Sequence, residues 1–391
     1  GGGCWELRET DSEGAFRASV RDWVHAHLCG EFAPLRHASG LGSPGYEPAL
    51  AKRWEQQLAA GGWTGLGWPR QHGGRELPLA QQVIFHEEYV RCGGPGRLGH
   101  IGETLLAPTL MAHGTPELQA RFLPGILAGQ TYWAQGYSEP GAGSDLAAVR
   151  TRAHIDPDSG EWVIDGQKVW TSWAHESDWI FVLARCEPGS QRHKGLVLLL
   201  VPLHQSGVTL RPIRQITGEA EFNEVFFDGA RTEGALHLGA PGQGWAVAMY
   251  LLGCERGAST LGQQAHFQSE LEQVMEVARR NGAARDPLLR QRIAHAALGL
   301  QTLRSHALRT SGDDAPARAS SISKYAWSNW RRTLGELAMD VLGADGDIAS
   351  NDPLHQTLQR LWLVSRADTI YAGSNEIQLN LMAERALQMP R

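Results

Sequence analysis

The sequence has few cysteines, no long apolar run and no excess of basic residues. Its five cysteines are scattered without a Cys-x-x-Cys pair, which favours a reducing compartment over a disulfide framework. No apolar run approaches the roughly 20 residues that span a bilayer. The net charge of −6 argues against general nucleic-acid binding, which usually needs a basic surface. We therefore expect a cytoplasmic protein with no membrane span and no nucleic-acid partner, and the Arg-, Gly- and Ala-rich composition is typical of bacteria.

The sequence also lacks the short motifs of several other enzyme classes. Sixteen histidines are present, but none stands in a His-Glu-x-x-His frame, so no metal site is expected. The glycine-rich run 141–143 has Leu146 where a dinucleotide fingerprint needs a third glycine. The segment 136–140 ends in Pro140, where the nucleophile elbow of a hydrolase needs glycine.

Hydrophobic periodicity divides the chain into three parts. Amphipathic helical patterns cover residues 13–29, 46–61, 78–92 and 115–128, the last opening on a capping Thr115 and a proline. Strand-like runs follow at residues 160–172, 179–184, 196–201, 208–211 and 224–227. Helical patterns then return at residues 245–280, 286–311 and 317–343, with shorter ones after Pro353 and Ile377, which fits a four-helix bundle. We predict an α+β fold with a helical domain at 5–130, a β domain at 131–233 and a helical bundle at 234–391.

Two residues inside the first strand-like run carry a turn signal. Asp165 and Gly166 stand between runs rich in β-forming residues, and both central positions of a type I′ turn need positive φ. The pattern predicts a β-hairpin at this dipeptide.

A single carboxylate interrupts the apolar helical run 247–260. Glu255 can be a catalytic group or the partner of a distant arginine, and ion pairs are the commoner reason for such a carboxylate. Pairing with the adjacent Arg256 is disfavoured because neighbouring residues on a helix do not face each other.

Several longer segments occur together in an order that resembles one enzyme family. Residues 371–378 (Tyr-Ala-Gly-Ser-Asn-Glu-Ile-Gln) resemble the C-terminal signature of the acyl-CoA dehydrogenases, and residues 137–145 resemble their first signature. Residues 166–179 are similar to the segment that packs on the flavin, and residues 112–130 to the helix that leads into the β domain. The likeness covers about residues 50–391. It implies the three-domain fold of that family, FAD between the β domain and the bundle, and usually a homotetramer, with a dimer as the other assembly considered.

The resemblance also assigns residues to the cofactor. The flavin ring would contact Tyr137, Ser138, Trp170 and Ser172. The phosphate and adenine portions would contact Arg280 and Gln291 across a subunit interface, and Ser374 and Glu376. Two positions depart from the family pattern, because Asn281-Gly282 replaces the usual Phe-Gly and Asp340 replaces a common flavin-binding Gln.

The position of the catalytic base also departs from the commonest family pattern. Many members of the family have a catalytic Glu at the second signature position, where this chain has Ala372. Members similar to isovaleryl-CoA and long-chain acyl-CoA dehydrogenases carry the base in a helical Glu-Arg pair, which Glu255-Arg256 matches. The resemblance thus implies Glu255 as general base, with a pKa raised by burial, and the N–H of Ala372 as a donor to the thioester oxygen. Ser144 and Arg256 are assigned to the substrate.

The implied reaction is α,β-desaturation of an acyl thioester in lipid metabolism, including fatty-acid β-oxidation. The substrate is an acyl-CoA or a carrier-protein thioester, and an electron-transfer flavoprotein is the expected electron acceptor. Two alternatives stay open: a flavin monooxygenase or oxidase of the same fold, and a half-active subunit of a mixed dehydrogenase. Ala372 in place of the standard Glu would fit a monooxygenase or oxidase. Asp340 and Asn281-Gly282 would fit a half-active subunit.

Overall fold

One β-sheet lies between two helical regions in chain order, an arrangement that confirms the predicted α+β architecture. The structure is a computed structural model that describes residues 9–254, 259–310 and 322–390. Within these ranges, no helix combines the length and the apolar character that a bilayer crossing requires.

The N-terminal region packs its helices around a core rich in aromatic residues. Thr10 and Thr115 cap the first and last helices by accepting hydrogen bonds from Glu13 N–H (3.2 Å) and Leu118 N–H (3.3 Å). Trp54 is fully buried at the centre of the core. The helices are α1 (Asp11–His27), α2 (Pro48–Ala60), α3 (Leu79–Arg91), α4 (Ala107–His113) and α5 (Pro116–Leu127), with a π-helical turn at Ile101–Leu106 before α4.

The sheet places apolar residues on both of its faces. In the described ranges its strands are β1 (Trp133–Gly136), β2 (Arg152–Ile155), β3 (Trp162–Ser172), β4 (Trp179–Arg185), β5 (Leu196–Pro202), β6 (Val208–Ile213), β7 (Phe222–Thr232) and β8 (His237–Gly242). Their order is β6-β7-β3-β2-β4-β5-β8, and β1 pairs with β4 in parallel. Strand β5 is buried on both sides, which explains its nearly continuous apolar sequence. Because β8 belongs to the sheet, the predicted boundary at residue 233 falls before its last strand.

The hairpin predicted at Asp165-Gly166 is wrong. Both residues lie inside the continuous strand β3, which pairs with the distant strand β7. The register of that pairing shifts between Ile164 and Gly166, where β7 carries one extra residue, so the dipeptide lies opposite a bulge of β7. Gly166 has φ +151°, and a Cβ there would lie 2.5 Å from Thr151 Oγ1. The glycine is needed for close approach of two chain segments, which is the role that the turn pattern concealed.

The C-terminal region is a helical bundle with its own apolar core. Its helices are α6 (Gly244–Cys254), α7 (Ser259–Asn281), α8 (Pro287–Thr310), α9 (Ser323–Leu342), α10 (Pro353–Asp368) and α11 (Asn375–Leu381). Phe267, Leu271 and Val274 of α7 meet Leu334 and Leu337 of α9 in this core. The pattern predicted over 245–280 corresponds to α6 and α7, which lie on either side of residues 255–258.

A buried ion pair joins β3 to the loop that follows β1. Lys168 is fully buried, and its Nζ lies 2.8 Å from Glu139 Oε2 and 3.0 Å from the carbonyl oxygen of Tyr137. Glu139 also accepts hydrogen bonds from the N–H groups of Arg150 (2.6 Å) and Thr151 (3.0 Å). Burial would raise the pKa of Glu139, but Lys168 and these hydrogen bonds outweigh it and lower that pKa. The pair therefore fixes the loop 137–151 against the sheet.

Removing Lys168 should destabilise the whole protein. In Lys168→Met, Glu139 stays buried without its cation, which typically costs about 3–5 kcal/mol. Chemical unfolding of the parent and the variant measures this loss. The matched control is Lys194→Met at an exposed lysine, which should change the free energy of unfolding by less than about 0.5 kcal/mol. Equal effects of the two substitutions would contradict the structural role of the pair.

Candidate functional site: a flavin cradle and a strained signature loop

Trp170 presents a large aromatic surface at a bulge of β3. The register with β7 shifts between Lys168 and Thr171, and Trp170 has φ +59°. Its side chain is 58% exposed and meets Phe222 edge-on, with ring centroids 6.1 Å apart. A left-handed backbone at a bulky residue is strained, and such strain occurs mostly at functional sites. The bulge thus holds an indole face open for a planar partner.

Two serine hydroxyls belong to the same corner of the sheet. The N–H of Val169 donates to the carbonyl oxygen of Ser138 (2.9 Å), which joins the first-signature loop to the strand that carries Trp170 and Ser172. Ser138 and Ser172 are both partly exposed. Neither hydroxyl is paired with another group in the described part of the chain. An open indole face flanked by available hydroxyls fits the isoalloxazine ring of FAD, which is planar and carries hydrogen-bonding edges.

Tyr137 lies deeper than a ring contact would require. Its side chain is only 5% exposed within the apolar core, and its hydroxyl lies 3.3 Å from the carbonyl oxygen of Ala248. Its carbonyl oxygen accepts from Lys168. The flavin contact predicted for Tyr137 stays a prediction, and the geometry gives this residue a role in supporting the loop.

The C-terminal signature forms a strained turn between α10 and α11. Ala372 has φ +52°, an unusual value for a residue other than glycine. Its N–H has no hydrogen-bond partner among the described residues. Ser374 caps α11 by accepting from Ile377 N–H (3.3 Å), while Glu376 is exposed in the first turn. The turn therefore presents a backbone donor at the position where the sequence predicts one.

A buried charge network holds this turn in place. Arg331 on α9 donates to Glu270 on α7 (2.8 and 2.9 Å) and to Asp368 at the end of α10 (3.0 and 3.2 Å). Asp368 is fully buried and also accepts from the hydroxyl of Tyr371 (2.7 Å), the residue before Ala372. Burial would lower the pKa of Arg331, but the two carboxylates outweigh it and raise that pKa. Three helices thus meet at one guanidinium that fixes the start of the turn.

Glu255 and Arg256 lie outside the described residues. Helix α6 ends at Cys254 and α7 begins at Ser259. The raised pKa expected for Glu255 stays a prediction.

The remaining predicted contacts lie at the protein surface. Arg280 is paired with Glu276 (2.8 Å) and borders a cavity of about 180 Å³ near the start of α10. Gln291 is exposed on α8, and Ser144 is exposed beside Asp145, which is paired with Arg192 (2.8 Å). The roles of Arg280 and Gln291 concern a second subunit and stay predictions, as does that of Ser144.

Asp340 forms an ion pair within its own chain. Its carboxylate lies 2.6 Å from Arg292 on α8, so this departure from the common flavin-binding Gln forms a surface ion pair between α9 and α8. Among the described residues, no group of three or more His, Cys, Asp or Glu side chains could hold a metal ion.

Three domain families match the chain along nearly its whole length. They are the acyl-CoA dehydrogenase N-terminal domain at residues 10–130, the middle domain at 134–230 and the C-terminal domain at 242–387. The chain belongs to the acyl-CoA dehydrogenase family. It is a flavin-dependent oxidoreductase of lipid metabolism, because members of this family use FAD to oxidise acyl-CoA thioesters.

Named relatives agree with this assignment. The dehydrogenase is 57% identical to acyl-CoA dehydrogenase IpdE1 of Mycobacterium tuberculosis, over 96% of this chain and 97% of that protein. It is 54% identical to IpdE1 of Mycolicibacterium smegmatis, with the same shares of the two chains covered. Among solved structures it resembles the Tcur3481-Tcur3483 steroid ACAD, with 28% identity and a TM-score of 0.86 over 99% of this chain and 100% of that one.

Sequence reasoning missed the residues that position the site. Lys168 stood inside the segment compared with the family, and its only local signal was a lysine within an apolar strand. Arg331 and Asp368 carried no signal, because their pairing joins positions 37 residues apart on different helices.

Weakening the network should slow turnover more than it weakens substrate binding. In Asp368→Asn the carboxylate that holds Arg331 and Tyr371 loses its charge, so the Ala372 donor is less well oriented. Misplacement of a group that acts on transition-state charge can lower kcat by about 10- to 100-fold, with a smaller change in KM. Steady-state kinetics of flavin-loaded protein measure both constants.

The control for this experiment is Asp228→Asn, at an exposed aspartate on β7. It should leave kcat within about twofold of the parent, since surface changes of this kind are usually neutral. An unchanged kcat in Asp368→Asn would contradict the positioning role.

Proposed function

We propose that Glu255 is the general base, and the N–H of Ala372 the oxyanion donor, in α,β-desaturation of an acyl thioester. The observation that carries this proposal is the turn at Ala372, which has positive φ and an N–H without a partner in the described chain. A backbone donor does not depend on the side chain, so Ala at this position can keep the family's donor while the base lies elsewhere.

The reaction divides its work between these two groups. The N–H of Ala372 stabilises negative charge on the thioester oxygen, which makes the α proton easier to remove. Glu255 accepts that proton while a double bond forms between the α and β carbons. The chemistry that FAD supplies when bound is two-electron oxidation, in which the β hydrogen leaves the substrate as hydride. Ser138, Trp170 and Ser172 would hold and orient the ring, and an electron-transfer flavoprotein would reoxidise it.

Glu255→Gln should abolish reduction of the flavin by substrate. Removing a general base typically costs about 10²- to 10⁴-fold in rate, while glutamine keeps nearly the size and shape of the glutamate side chain. Anaerobic titration of flavin-loaded protein with straight, branched and polycyclic acyl-CoAs, followed by loss of visible flavin absorbance, measures the rate.

The matched control is Glu117→Gln, at an exposed glutamate in the first turn of α5. Bleaching in Glu255→Gln at the rate of this control would contradict the assignment. Product that forms only in the presence of oxygen would favour the oxidase alternative instead.

We also propose that the substrate carries a bulky polycyclic acyl group. The Tcur3481-Tcur3483 enzyme is named as a steroid ACAD, and the dehydrogenase resembles it over nearly all of both chains. The polycyclic member of the thioester panel should therefore bleach the flavin fastest. Carrier-protein thioesters and ordinary fatty acyl-CoAs are the competing substrates that the same titration compares.

An exposed helix face supports assembly with another subunit. Helix α8 presents an uncharged stripe at three-to-four spacing, in which Leu298 is 65% exposed. The exposed members of the stripe are Gln291, Ala294, His295, Leu298, Gln301, Thr302 and Ser305. Depletion of charge is typical of interface cores, and Gln291 is, with Arg280, one of the two residues predicted to reach FAD across subunits.

The partner can be a second copy or a different chain. Two of the similar solved structures carry paired names, Tcur3481-Tcur3483 and the ChsE4-ChsE5 complex from Mycobacterium tuberculosis. Together with the departures at Asp340 and Asn281, this favours a mixed assembly in which the present chain supplies Glu255. A homotetramer or homodimer is the competing arrangement.

Leu298→Glu should weaken this assembly, whichever partner it uses. A charge placed within an uncharged contact would raise the dissociation constant at least about tenfold, equivalent to about 1.4 kcal/mol. Light scattering after size-exclusion chromatography measures the mass of the chain alone and with candidate partner subunits. Ile216→Glu, at an exposed isoleucine outside α8, is the control and should leave the mass unchanged. An unchanged mass in Leu298→Glu would rule out this face.

A further inference from the structure

The loop that joins β6 to β7 contacts three parts of the chain. The carboxylate of Glu219 in this loop accepts two hydrogen bonds from Arg360 on α10, one from Nε (3.0 Å) and one from Nη2 (2.8 Å). On its other side Glu219 packs against the N-terminal region, since a Cβ at Gly42 would lie 2.7 Å from Glu219 Cγ. The carbonyl oxygen of Glu221 accepts from the N–H of Trp173 (2.8 Å), directly after β3. We call residues 214–221 the bridging loop.

The ion pair between Glu219 and Arg360 links the sheet to the helical bundle. It is bidentate, and two such N–H···O bonds fix the angle between the groups as well as their distance. The two side chains are only 17% and 32% exposed, so solvent screens this pair less than it screens a fully exposed one. Among the described residues, it is the only ion pair between the sheet β1–β8 and helices α7–α11.

The bridging loop leads directly to the proposed flavin face. Its backbone is compact, because the N–H of Gln215 donates to the carbonyl oxygen of Glu219 (2.8 Å). Phe222, the first residue of β7, lies opposite Ser172 in the register, and its ring centroid is 6.1 Å from that of Trp170. A displacement of Glu219 would therefore move the strand ends that carry Trp170 and Ser172.

Arg360 connects the same loop to the signature turn. It lies on α10 about two helical turns before Asp368. Asp368 accepts a hydrogen bond from the hydroxyl of Tyr371, the residue before Ala372. One ion pair therefore joins the loop beside the proposed flavin face to the helix that leads into the proposed oxyanion donor.

We propose that Glu219 and Arg360 are positioning residues that clasp the sheet to the bundle across the flavin site, and that their ion pair sets the spacing between the flavin ring at Trp170 and the thioester at Ala372. This inference rests on the proposed function, because it takes Trp170 and Ala372 as the two sides of the reaction. Hydride transfer needs close and aligned partners, and a misplacement of about 1 Å can cost about 100-fold in rate. An ion pair with a merely structural role would change the free energy of unfolding and leave FAD binding and turnover as they are.

The test is a double-mutant cycle on the FAD-loaded protein in its native assembly. Glu219→Gln and Arg360→Gln each remove one charge of the pair. Each should raise the dissociation constant of FAD about tenfold and lower kcat about tenfold, with a smaller change in KM. Because both substitutions break the same contact, the double variant should resemble each single variant instead of multiplying their effects. Flavin fluorescence on dilution measures release of FAD, and steady-state kinetics measure kcat and KM.

Two further variants separate the geometry of the pair from general effects of charge. Arg360→Lys keeps the charge but loses the bidentate fork, so its values should fall between those of the parent and Arg360→Gln. The matched control is Glu233→Gln, which breaks another bidentate pair, with Arg121 (2.8 and 3.0 Å), that joins the sheet to α5. It should leave FAD binding and kcat within about twofold of the parent.

Three outcomes are decisive. Parental FAD binding and kcat in both single variants would overturn the inference, even if the free energy of unfolding falls. Effects that multiply in the double variant would also overturn it, because the two groups would then act independently. A parent whose flavin no thioester reduces would contradict the proposed function, whereas the cycle on FAD binding would still decide whether this pair holds the cofactor site together.

Discussion

The ion pair between Lys168 and Glu139 is the constraint on which the cofactor side of the site depends. Glu139 accepts hydrogen bonds from two backbone N–H groups at the end of its loop. Lys168 donates to that carboxylate and to the carbonyl oxygen of Tyr137. The strand then continues through Val169, which bonds Ser138, and reaches the bulge at Trp170. The position of the exposed indole is thus set by buried groups that never touch a ligand.

In the helical bundle, a second buried ion pair positions the turn that carries the proposed oxyanion donor. Arg331 donates hydrogen bonds to carboxylates on two other helices. One of them, Asp368, also accepts a hydrogen bond from the hydroxyl of Tyr371, which precedes Ala372. Both Trp170 and Ala372 adopt left-handed backbone conformations, which cost roughly 1–3 kcal/mol each unless the surroundings determine them. In each case a buried ion pair lies within four residues of the strained position. Buried ion pairs therefore hold two strained segments of the candidate site in place.

Local sequence signals predicted the parts of the fold that local physics decides. The cap at Thr115 and the apolar run that became β5 were both recognisable, because one reflects a helix end and the other full burial. Strand β8 was missed, since it contains glycine and proline and is defined only by its pairing with β5. The dipeptide Asp165-Gly166 misled the prediction because Gly166 is needed for close approach to Thr151, a contact that only the tertiary structure creates.

The candidate site divides in the same way. Family motifs predicted roles for Trp170, Ser172 and Ala372, which stay predictions. The ion pairs that position these residues join groups far apart in sequence and leave no local pattern. The family resemblance predicted the chemistry of the motifs. The structure added the contacts that orient them.

The proposed mechanism requires one thioester to contact Ala372, Glu255 and the flavin face beside Trp170 at the same time. The most direct test is a crystal structure of the FAD-loaded protein, in its native assembly, with a thioester analogue that cannot be desaturated. We expect the analogue oxygen to accept a hydrogen bond from the N–H of Ala372, with the α carbon of the analogue against the Glu255 carboxylate and its β carbon against the flavin ring. A flavin bound away from Trp170, or an α carbon that no Glu255 carboxylate approaches, would contradict it.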